Sequence, residues 1–68
     1  MHKRFFIVAV YDPEEKFLGY LKQDMTLTQQ EQYAIQFPTK AEAVDAGEEA
    51  ESKQNDWYCE PERKDERK

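Results

Sequence analysis

Residues 5–11, Phe-Phe-Ile-Val-Ala-Val-Tyr, form an unbroken apolar and aromatic run, and it decides most of what this chain can fold into. Its β-branched and aromatic residues favour a strand, read here over residues 4–11. Phe5, Ile7, Ala9 and Tyr11 share one face, and Phe6, Val8 and Val10 share the other. A strand apolar on both faces needs cover on both. The run is far short of the roughly 20 residues of a transmembrane helix. It follows a basic Met1-His2-Lys3-Arg4, as a signal peptide would. However, Phe5 to Val10 falls below the roughly 7–15 residues of a signal core, and Tyr11-Asp12-Pro13-Glu14-Glu15 ends it. The chain reads as soluble and cytoplasmic.

Asp12-Pro13-Glu14-Glu15 is a turn, with Pro13 presetting φ and Asp12 placed to bond the backbone beyond it. Residues 16–23 are a second strand, and the short connection makes an antiparallel hairpin. Gly19 in that strand signals a bulge or a close approach by another group. Residues 24–31 read as a loop. Tyr33, Ile35 and Phe37 alternate, which predicts a short third strand over 32–37, with a helical turn over 29–34 as the competing reading. Thr39 and Glu42 form a capping box opening a helix to about residue 53. Its inner stripe, Ala43, Val44, Gly47 and Ala50 with Ala46 beside it, is small enough to let the helix approach a sheet closely. Trp57 to Glu60 is a last strand, at an edge because Pro61 cannot donate to a ladder. Glu62 to Lys68 is wholly charged and reads as a disordered tail.

The order β-β-(β)-α-β predicts a two-layer α+β domain over residues 1–61, with three to four antiparallel strands and one helix across one face. The other face then has no cover in this chain. If it carries Phe6, Val8, Val10, Leu18 and Tyr20, these make an apolar patch of the kind that marks an interface. The rival assignment exposes Phe5, Ile7, Tyr11 and Phe17 instead. A homodimer through the uncovered face, or a partner protein docked there, is the expected consequence.

Composition narrows the chemistry. With 68 residues the chain is one small domain of marginal burial. Residues 1–61 carry six basic and twelve acidic residues, a balance opposed to binding phosphates or anionic membranes. One cysteine, Cys59, and one histidine, His2, supply neither a disulfide nor a zinc set nor an evident nucleophile–base pair. Gly19 and Gly47 are the only glycines, so there is no phosphate-cradling loop. The reading is no enzyme, no metal and no cofactor. Cys59 reads as a small hydrophobe in a strand.

Two surfaces remain as candidates. One is the acidic outer helix face, with Glu42, Asp45, Glu48 and Glu49, either a solubilising face or a docking surface for a basic partner. The other is the aromatic sheet face, represented by Phe6, Val8 and Tyr20. The stretch Ala34-Ile35-Gln36-Phe37-Pro38-Thr39-Lys40-Ala41-Glu42-Ala43, preceded by Phe17-Leu18-Gly19-Tyr20-Leu21, resembles small proteins of phages and prophages over residues 4–53. That resemblance implies accessory proteins that act by binding, some of them inhibitory, and it brings no active site. The expected role is a non-enzymatic protein–protein interaction module. The alternatives are an acidic mimic of nucleic acid and a single-stranded nucleic-acid binder that stacks bases on sheet aromatics.

Overall fold

The apolar run becomes one of the two inner strands of a four-stranded antiparallel sheet in the computed structural model, which describes residues 3–66. Strand β1 (Lys3–Tyr11) pairs with β2 (Phe17–Leu21) on one side and with β4 (Tyr58–Glu66) on the other. A two-residue β3 (Leu27–Thr28) lies outside β2, giving the order β3-β2-β1-β4. The helix α1 (Lys40–Lys53) packs against β1 and β4. This is the expected small α+β fold of one sheet and one helix. Ile7, Val8, Ala9 and Val10 are all fully buried, so β1 is enclosed on both faces as its composition demands. Each large aliphatic side chain enclosed in this way contributes about 1.5–3 kcal/mol.

Helix α1 forms where the capping residues place it. The amide of Glu42 donates to Thr39 Oγ1 at 3.3 Å, and that hydroxyl donates to Glu42 Oε2 at 3.1 Å. Ala43, Gly47 and Ala50 are the buried stripe. A Cβ on Gly47 would stand 3.0 Å from Cys59 Cβ, so the absent side chain lets the helix come down onto β4.

The row beneath the helix is Val8 and Val10, joined by Leu21, Ala43 and Ala50, with Phe6, Leu18, Phe37, Trp57 and Cys59 around them. The first assignment of faces is therefore corrected: Phe6, Val8, Val10 and Leu18 pack into the helix-side core. Tyr20 parts company with them. The ladder steps from Val10↔Gly19 to Tyr11↔Phe17, leaving Leu18 as the extra residue of a bulge. The bulge sets Phe17 and Tyr20, three residues apart, on the same face as Tyr11.

Two further expectations change. No third strand runs over 32–37. The strand outside β2 is Leu27–Thr28, and a 3-10 turn occupies Glu31–Tyr33, which matches the competing reading of a helical turn. Phe37 bridges to the sheet, exchanging two backbone hydrogen bonds of 2.8 Å with Phe6, and the Ile35 amide donates to the Leu21 carbonyl at 3.1 Å. Phe37 reaches Phe6 because β2 pairs with β1 only from Ala9 onward, leaving Phe6 open on that side.

The charged segment is the larger correction. Residues 62–66 continue β4, which pairs with β1 without interruption from Tyr11↔Tyr58 to Lys3↔Glu66. The ladder determines this, since the buried β1 needs partners for its backbone groups along its whole length. The charges are accommodated by pairing. Arg4 lies 3.7 Å from Asp65 across the strands, and Lys64 lies 3.4 Å from Glu62. Arg67 and Lys68 of the expected tail fall outside the described residues. Pro61 sits in an edge strand, as its missing donor requires.

Candidate docking face

The sheet face turned away from α1 is built from Phe5, Ile7, Ala9 and Tyr11 of β1, Phe17 and Tyr20 of β2, and Tyr58, Glu60, Glu62 and Lys64 of β4. It is not uniformly open. Ile7 and Ala9 are fully buried although no helix lies over them. A polar strap runs across this half of the face. Glu31, in the 3-10 turn, accepts from Tyr20 Oη at 3.3 Å and from Lys64 Nζ at 3.2 Å. Tyr20 belongs to β2 and Lys64 to β4, so the Glu31 carboxylate spans β1 at the level of Ile7. The expected uncovered face is corrected accordingly: the chain covers the Ile7 half itself.

The strap shifts the ionisation of its members. Hydrogen bonding to Glu31 raises the Lys64 ammonium above its ordinary value. Burial, then the charges of Glu31 and Glu62, raise the Tyr20 phenol.

The other half of the face is aromatic and open. Tyr58 and Tyr11 are register partners, so their side chains stand side by side. The ring of Tyr11 meets Phe17 edge-on at 5.7 Å, and Phe17 meets Tyr20 at 4.9 Å. Four rings thus form a row across β4, β1 and β2. Phe17 is 41% and Tyr58 55% exposed. Beside the row, the β1–β2 turn is held by Asp12, whose Oδ1 accepts from the amides of Glu14 at 2.9 Å and Lys16 at 2.8 Å. Glu15 closes that turn in the left-handed region, at φ 67°. A groove of about 630 Å³ opens between the turn and β4, lined by Tyr11, Tyr58, Glu60 and residues 12–15.

The residues singled out from the sequence separate into three places. Val8 is enclosed beneath the helix and Phe6 half-buried against the same core, so Val8 offers no surface to a partner. Tyr20 is half-buried at the junction of the aromatic row and the strap. Glu42, Asp45, Glu48 and Glu49 are exposed on α1, but Glu42 serves the cap and Glu49 pairs with Lys53 at 3.4 Å. Glu51, next along the helix, accepts from the Cys59 amide at 2.7 Å and so satisfies a donor on the edge of β4. Tyr58 and Glu60 were not among the sequence candidates; only the β1–β4 register brings them beside Tyr11.

Cys59 lies half-buried between β4 and α1, where burial and then the Glu51 carboxylate push its thiol up to about 11. A thiol so protonated at neutral pH is a packing group and a poor nucleophile. Among the described residues, no three Cys, His, Asp or Glu side chains converge as a metal site would need. No helix among them is long and apolar enough to cross a membrane.

Comparison with protein-family models, with curated proteins and with solved structures finds no match to this chain.

Proposed function

We propose that the chain is a non-enzymatic, cytoplasmic binding module that docks a protein partner through the aromatic end of its helix-free sheet face. One observation carries this reading. Phe17 and Tyr58 stay wet within a continuous row of ring contacts and strand pairs, while the neighbouring half of the same face is closed by the Glu31 strap. Folding alone gives no return for keeping large rings in water, and aromatic residues are the usual anchors of protein interfaces. A binding role is also what the resemblance to small phage and prophage proteins implies. Glu14, Glu15 and Glu60 beside the rings disfavour single-stranded nucleic acid, whose phosphates they would repel. The acidic helix is the weaker surface, because Glu42, Glu49 and Glu51 are engaged within the chain.

The test is site-specific photo-cross-linking in cells, with benzoylphenylalanine placed at Phe17 or, separately, at Asp45 on the outer helix face. The expected result is a discrete protein adduct from position 17 and none from position 45. Equal labelling at both positions, or none at 17, overturns the reading.

A further inference from the structure

The groove at the end of the aromatic row has a chemistry that selects its occupant. Its apolar walls are two phenol rings, Tyr11 and Tyr58, side by side on adjacent strands. Its charged rim consists of Glu14 and Glu15 on the turn and Glu60 on β4, all exposed. Asp12 also lines it, with one carboxylate oxygen engaged by the turn amides. Among the described residues, no Lys, Arg or His lines the groove.

A second copy of the chain is the wrong occupant. A two-fold interface sets the same patch against itself, and here that brings carboxylates against carboxylates. An anionic or purely apolar occupant leaves the rim uncompensated. A cation with a flat apolar face satisfies both walls and rim. The guanidinium group has that shape: it stacks on tyrosine rings, and its fork of donors matches carboxylates better than an ammonium does. We infer that this groove receives an arginine side chain presented by the protein partner. The inference rests on the docking reading above and adds to it the chemistry of the contact.

The experiment uses the whole chain and a fluorescein-labelled Gly-Arg-Gly-Arg-Gly peptide. The control is the same peptide with citrulline, which keeps the shape and removes the charge. Anisotropy is read at low and at physiological salt, and amide shifts are mapped by NMR. The arginine peptide is expected to bind roughly tenfold tighter than the citrulline peptide and to move the amides of Tyr11, Asp12, Glu14, Glu15 and residues 58–60. The double substitution Glu14→Gln and Glu60→Gln is expected to weaken it roughly fivefold. The double substitution Glu48→Gln and Glu49→Gln, on the helix, is expected to leave it within about twofold.

Equal binding of the citrulline peptide, or an equal loss from the helix pair, overturns the inference, the latter because it shows only general attraction to an acidic protein. A dimer in sedimentation that Tyr58→Glu dissociates also overturns it, since the second copy would then hold the groove. A position-17 adduct without arginine-peptide binding defeats this inference alone. Absence of both defeats the docking reading as well.

Discussion

At the level of single residues, two glycines make opposite use of the same missing side chain. Gly19 adopts φ +156°, a conformation L side chains rarely occupy, and a Cβ there would meet the Thr28 carbonyl oxygen at 3.0 Å and Leu27 Cβ at 3.2 Å. Backbone strain and a clash against β3 therefore act together. Gly47 is helical, and its added Cβ would meet one fixed neighbour, Cys59 Cβ. Alanine's helix propensity, worth about 1 kcal/mol over glycine, partly offsets that clash. The expected order is a loss of about 2–4 kcal/mol for Gly19→Ala and about 1 kcal/mol or less for Gly47→Ala. Urea midpoints of the two variants check this; a Gly47→Ala loss equal to or above that of Gly19→Ala would contradict the geometry. Gly19 was legible in the sequence because a glycine in mid-strand weakens the strand unless a bulge or a close approach requires it. The face of Tyr20 was not legible: alternation groups it with Leu18, and the bulge beside Gly19 shifts the register so that it joins Phe17 and Tyr11 instead.

Among the elements, those specified by their own residues could be read in advance. The capping pair Thr39 and Glu42 announces α1, and the apolar run announces β1, because each signal is local. Strand β4 is different. Its first half holds Tyr58 and Cys59, but Glu62 to Glu66 has a composition suited to a solvated tail, and only the unpaired edge of β1 makes it a strand. This difference has a direct test. Ending the chain after Pro61 removes residues that pair with Lys3 to Ile7. Each lost backbone hydrogen bond costs about 0.5–1.5 kcal/mol, and the ion pairs of Arg4 and Lys64 are lost with them. A domain this small has little stability in reserve. The shortened chain is expected to lose several kcal/mol relative to the full chain or to be unfolded. Circular dichroism during urea titration checks this. An undisturbed melt after removal of 62–68 would mean that the long β4 contributes nothing.

For the whole molecule, the three raised groups on the two faces of the sheet act on stability in one direction. The Cys59 thiol, ordinarily near 9.0, is held at about 11 by burial and by Glu51. As pH rises between those values, the unfolded chain releases this proton while the folded chain retains it, so stability falls. Tyr20, raised above 10.0 by burial and by Glu31, gives a fall with the same sign that begins higher. Lys64, raised above 10.5 by its hydrogen bond to Glu31, contributes stability that is complete below 10.5 and is lost as pH climbs through its folded value. The three contributions come from both faces of the sheet: the thiol lies under the helix, and the phenol and ammonium lie in the strap. Thermal melting from pH 8 to 11 should therefore show a steady loss beginning near pH 9. Cys59→Ala should flatten the first part of that loss, between about pH 9 and 10, and leave the steeper fall above pH 10. Glu31→Gln should do the reverse, because it removes the carboxylate that joins Tyr20 to Lys64 and leaves the thiol untouched. If Cys59→Ala removed the whole alkaline fall, the strap would contribute nothing to stability, and the Glu31 carboxylate would not be what closes the Ile7 half of the helix-free face.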